Sequence, residues 1–132
     1  MNNNSFGISK TNGMQTDQIL FNVQHQVSVS VVVSKDIEGS AVFTANGKKY
    51  VKAGTPLSGN LDARTTPFVL GTSSAAPVGV LLEDVEITTG NANGTLLIFG
   101  FVNTNRLAAQ VKTLLTSDVK TALNAKVTFI AG

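Results

Sequence analysis

The sequence predicts a mainly β fold of α+β type: a compact, small barrel- or tulip-like domain with one or two helices near its carboxyl end and a flexible amino-terminal arm. Three observations predict it. Val27, Val29, Val31 and Val33 share one parity while Ser28 and Ser30 take the other, the two-residue period of a strand with one buried face. Asn46-Gly47 stands between two β-prone runs, where a tight hairpin turn demands positive φ angles. Apolar residues at three- and four-residue intervals occur convincingly only after Asn103.

The 132 residues divide into residues 1–13, a polar segment read as a mobile arm, and residues 14–132, read as a single domain. Phe6 and Ile8 are the arm's two apolar anchors. Leu20 to Val23 is apolar and β-prone, and the valine strand follows it. Val32 breaks the polar parity, so the strand's second face is expected to be covered near its end.

Ala41 to Thr44 and Lys49 to Lys52 are the arms of the expected hairpin. Gly54, Pro56, Gly59, Asn60, Pro67 and Gly71 then punctuate an irregular stretch, and Gly71 to Pro77 reads as an exposed loop. From Val78 to Ile87 the chain is extended again, with a kink expected near Glu83-Asp84, because plain alternation would leave Glu83 on the apolar side. Asn91 to Gly94 reads as the next turn, and Thr95 to Val102, apolar on both parities, as a central strand. Thr104 or Asn105 is expected to cap a helix carrying Leu107, Val111, Leu114 and Leu115. Ser117-Asp118 offers a second helix start, and Val127 to Ile130 a last strand.

Composition bounds the chemistry. With no cysteine there is neither a disulfide framework nor a thiolate metal site. The net charge is +2, and the lysines form no stripe at helical spacing, which argues against a nucleic-acid binder. No basic start followed by a long apolar region marks a signal peptide, and no apolar run reaches the ~20 residues of a membrane helix, so a soluble product of the cytoplasm is expected. His25 is the only histidine and lies among Asn22, Gln24 and Gln26, without a nucleophile motif around it. Glu83, Asp84 and Glu86 form the one acidic cluster; their spacing matches no calcium loop, and a solvated turn or interface role is the simpler reading. The glycines build no phosphate-cradling motif between a strand and a helix. No catalytic residue, cofactor or metal is expected.

One series of short motifs stands out: Ala53-Gly54-Thr55-Pro56-Leu57, then Pro77-Val78-Gly79-Val80-Leu81-Leu82-Glu83-Asp84-Val85, then Asn93-Gly94, and last Leu96-Leu97-Ile98-Phe99-Gly100-Phe101-Val102-Asn103. This stretch resembles the middle of the lambda-type head decoration proteins of bacteriophages. The motifs are structural, short and glycine-centred. The segment before Ala53 is richer in valine strand, and the helical end after Asn103 more extensive, than the family pattern leads one to expect.

The resemblance implies a non-enzymatic, mostly β subunit that sits as a homotrimer at the threefold and quasi-threefold positions of an expanded icosahedral head. Its partner would be the major capsid protein of a tailed phage, and its location the outer surface of the virion after synthesis in the host cytoplasm. No nucleic acid or membrane contact is implied. It would stabilise the shell against packaged DNA, with an arm that orders against the capsid. On that reading Phe6, Ile8, Val27, Val29 and Val31 are the candidate capsid-binding residues, since a polar arm with apolar anchors can add a strand to a sheet edge. Thr72, Ser73, Ser74 and Pro77 are the candidate neighbour contact or outward tip. The alternative is a head-fibre base or an adhesin holding host polysaccharide, for which one tyrosine and no tryptophan supply few stacking platforms. A small hydrolase with a site between subunits is a third reading, opposed by the lone His25.

Overall fold

The computed structural model of the chain describes residues 26–124 and 126–131. The expectations for the arm, for Leu20 to Val23 and for His25 fall outside those residues. What is described is built on a six-stranded sheet, a three-stranded sheet and two short helices. The mainly β reading therefore holds; among the described residues the larger sheet is not a closed barrel, although an isolated bridge joins Val33 of its first strand to Phe68, beside Val69 at its other end. The path of the larger sheet runs β1-β8-β6-β4-β5, with β1 at Val27–Val33, β8 at Ala92–Asn103, β6 at Gly79–Leu81, β4 at Pro56–Ser58 and β5 at Val69–Leu70. A ninth strand, β9 (Val127–Ile130), runs parallel to β8 and pairs with residues Gly100 to Asn103. The smaller sheet is β2 (Val42–Ala45), β3 (Lys48–Val51) and β7 (Val85–Glu86).

β8 is the spine because it is apolar on both faces. Leu97, with Val80 and Leu82, belongs to one buried cluster; Leu96, with Leu81, belongs to the other. Neighbouring side chains of a strand point to opposite faces, so the two clusters lie on opposite sides of the sheet. The first is completed by Val111, Val119 and Leu123 of the helical region, the second by Val33, Val51 and Val85, which join β1 and the smaller sheet. The helices are α1 (Ala109–Leu114) and α2 (Ser117–Ala122). They lie near the carboxyl end, before β9, each burying one valine against the sheet.

A bulge keeps both faces of β8 apolar along its length. Val27 pairs with Phe99 but Ser28 with Leu97, so Ile98 is an extra residue on β8. Leu97 and Val102 both enter the helix-side cluster although they are an odd number of positions apart. Simple alternation forbids that; the extra residue permits it.

The hairpin forms as expected, with Asn46 at φ 54° and Gly47 at φ 75°, the positive angles of a two-residue turn. Phe43 and Tyr50 stack across it with ring centroids 5.1 Å apart. The kink at Glu83-Asp84 also forms, and it carries the chain from β6 in the larger sheet to β7 in the smaller one.

Two local expectations are corrected. Asn93-Gly94 is not a turn: β8 already begins at Ala92, Asn93 lies opposite Val32, and Gly94 opposite Val31. Glycine is needed there for closeness rather than for a bend. A Cβ on Gly94 would lie 2.9 Å from Val85 Cγ2 and 3.1 Å from Val33 Cγ2, inside van der Waals contact. The helix expected from Thr104 is also divided. Asn103 ends the strand, its side chain accepts the Asn105 N–H at 3.0 Å, and a 3-10 turn spans Thr104–Arg106 before α1 begins. An Asx side chain that takes a local backbone donor competes with helix continuation. The second helix is capped by Thr116, whose hydroxyl accepts the Val119 N–H at 3.3 Å.

Candidate interaction surface

The motif segments that stood out in the sequence converge in space. Pro56 and Leu57 of β4 pair with Val80 and Gly79 of β6, and Val80 and Leu81 pair with Leu97 and Leu96 of β8. The Gly54 N–H donates to the Leu81 carbonyl at 2.6 Å, and the Leu81 N–H to the Thr55 carbonyl at 2.9 Å. The buried Thr55 hydroxyl donates to the Lys52 carbonyl at 2.7 Å, so no polar atom of that side chain is stranded. Asp84 accepts the Ala53 N–H at 2.8 Å, which ties the kink to the start of the first motif. Of the acidic cluster, Asp84 is thus tied into the kink, while Glu86 lies in β7. Among the described residues, no three His, Cys, Asp or Glu side chains are grouped to hold a metal ion.

The residues proposed for surface contact are sorted by the bulge and by what covers the sheet. Val31 is 2% exposed, a core residue, and Val29 is half-buried against the smaller-sheet cluster. Val27 is different: it is 49% exposed, and its ladder partner Phe99 is 48% exposed. Neither belongs to the buried cluster that the smaller sheet helps to complete. On β9, Val127 and Phe129 pack on the helix side, which turns Thr128 and Ile130 to the same face as Val27. Ile130 is exposed there too. Phe99 and Ile130 escaped the sequence reading because an all-apolar run gives no parity signal for which residue will lack a cover.

Among the described residues, the edge of β1 away from β8 is bonded by the segment from Arg64 to Phe68. Val32 donates its N–H to the Arg64 carbonyl at 3.2 Å and accepts the Phe68 N–H at 2.7 Å, and Ser34 donates to the Phe68 carbonyl at 3.0 Å. Toward the start of the strand, Arg64 Nη1 reaches the Ser30 carbonyl at 3.2 Å. Ser30, Val32, Leu61, Arg64, Thr65 and Asn93 line a cleft of about 550 Å³ beside this edge. Sequence reading passed over this cleft because Leu61 to Thr65 lies in an irregular stretch with no motif.

The loop at Gly71 to Pro77 is folded on itself. Thr72 donates its N–H to the Ala75 carbonyl at 2.8 Å, and its hydroxyl accepts the N–H groups of Ser74 and Ala75 at 3.2 and 3.0 Å. Thr72, Ser73 and Ser74 are exposed, as a projecting tip requires, whereas Pro77 is buried at the loop's base. Phe6 and Ile8 lie outside the described residues. No helix among the described residues is long and apolar enough to cross a membrane. No protein-family model and no curated protein matches the chain.

Proposed function

We propose that the chain is a head decoration protein of a tailed bacteriophage. It binds the outside of the expanded shell as trimers at threefold and quasi-threefold positions and stabilises the shell by binding it. The reading rests on the resemblance carried by Ala53 to Leu57, Pro77 to Val85, Asn93-Gly94 and Leu96 to Asn103, and one observation supports it most. Their strand portions join in the larger sheet, Pro56 and Leu57 pairing with Val80 and Gly79, and Val80 and Leu81 with Leu97 and Leu96, so that part of the likeness belongs to one connected piece of structure, while Val85 continues into the smaller sheet. The exposed pair Val27 and Phe99 offers an apolar surface for contact.

The mechanism is linkage. A subunit that binds the expanded lattice and not its precursor stabilises the expanded form by its binding free energy. Three arms per trimer give avidity to contacts that are individually weak. No catalytic step is involved.

The test is cosedimentation of the purified chain with expanded and with unexpanded heads of the phage that encodes it. Saturable binding to expanded heads alone is expected, together with a rise in their disruption temperature. Equal binding to both forms, or to neither, contradicts the proposal. Binding instead to host polysaccharide would favour the fibre-base or adhesin reading.

A further inference from the structure

We infer that Asn46 is a site of spontaneous backbone modification, deamidating through a succinimide, and that the like-sequenced Asn93-Gly94 is protected by the fold. Both asparagines are followed by glycine, which has no side chain to hinder its own nitrogen as a nucleophile, and both are exposed, so solvent access does not decide between them. The ladder decides. Asn46 and Gly47 are the two central residues of a hairpin turn, flanked by the pair Ala45 and Lys48. A turn tip opens locally at little cost.

Asn93-Gly94 lies inside β8. Val32 spends both its N–H and its carbonyl on Arg64 and Phe68 at the outer edge of β1. In an antiparallel ladder the next residue bonds on the opposite side, so Val31 faces β8 and its partner Gly94 has its N–H held in that ladder. Thr95 is turned the other way, its carbonyl accepting the Leu82 N–H at 2.9 Å. The Gly94 nitrogen is therefore both hydrogen-bonded and fixed in an extended chain, away from the Asn93 side-chain carbon.

At Asn46 the step balances as follows. Hydroxide removes the Gly47 amide proton, the nitrogen bonds to Asn46 Cγ, the Cγ–Nδ2 bond breaks and ammonia leaves. Water then opens the ring at either carbonyl to give aspartate or isoaspartate. Either product adds a negative charge beside Lys48 and Lys49, and isoaspartate also lengthens the main chain by one carbon within a turn that has no spare atom.

The experiment is incubation of the full chain at 37 °C and mildly alkaline pH, folded and in urea, followed by peptide mass spectrometry with isoaspartate detection. In the folded chain Asn46 is expected to convert at least ~100-fold faster than Asn93, because a paired core strand is released only by near-global opening. In urea the two rates should converge. Equal folded-state rates, faster loss at Asn93, or an Asn46 that stays intact while the urea sample reacts would each overturn the inference.

Discussion

Val27 lies directly opposite Phe99 in the antiparallel ladder of β1 and β8, and the two form an exposed apolar pair beside the bulge at Ile98. Across the same sheet, residues of equal hydrophobicity such as Leu96 and Leu97 are wholly buried. The difference is one of cover: Leu96 shares a buried cluster with Val51 and Val85 of the smaller sheet, and Phe99 belongs to neither buried cluster.

Replacing Val27 and Phe99 together by serine removes apolar contact surface without opening a core. Each change should cost less than about 1 kcal/mol of stability, the scale of strand propensity at exposed positions. Binding to expanded heads should fall while urea unfolding stays nearly unchanged. Unaltered binding would remove this pair from the contact surface.

Gly94→Ala should destabilise the fold by about 1–3 kcal/mol, the cost of overpacking, since the new carbon meets Val85, Leu81 and Val33 at once. Urea denaturation measures it. A neutral result would mean that the smaller sheet moves away from β8 freely.

Asp84→Ala removes the acceptor for the Ala53 N–H and should cost about 1–2 kcal/mol, as a lost hydrogen bond to a charged group does. The fold should persist, with the loss seen as a lower denaturation midpoint. If Asp84 instead took part in a reaction, its replacement would abolish an activity rather than merely lower stability.

Leu97→Ala and Leu96→Ala probe the two faces separately. Both side chains are wholly buried, so each truncation should cost about 2–5 kcal/mol. Far-ultraviolet dichroism during unfolding should lose its helical component earlier in the Leu97 variant, because Leu97 shares its cluster with Val111, Val119 and Leu123 of the helical region, whereas Leu96 shares its cluster with Val33, Val51 and Val85 and has Leu114 at the border.

Much of this architecture is legible in the sequence where local chemistry and tertiary packing agree. The Asn46-Gly47 hairpin, the two-faced strand through Leu96-Leu97, the kink at Glu83-Asp84 and the last strand all follow from residue type and period. Legibility fails where a distant element decides. Nothing near Gly94 in the chain announces that Val85 and Val33 will pack against it, so a strand glycine looks like a turn. Nothing in the valine alternation reveals that Val27 will be left uncovered while Val31 is buried. The extra residue at Ile98 becomes visible only in the pairing of β8 with β1. The cleft beside Arg64 is a further case, formed by an irregular segment that lies along a sheet edge.

The most direct test of the decoration proposal is the copy number of this chain relative to the major capsid protein, measured by quantitative mass spectrometry on purified virions of the phage that encodes it. A ratio near one to one is the predicted result, because trimers at every threefold and quasi-threefold position match the lattice subunit for subunit. A few copies per particle, or none, would contradict it.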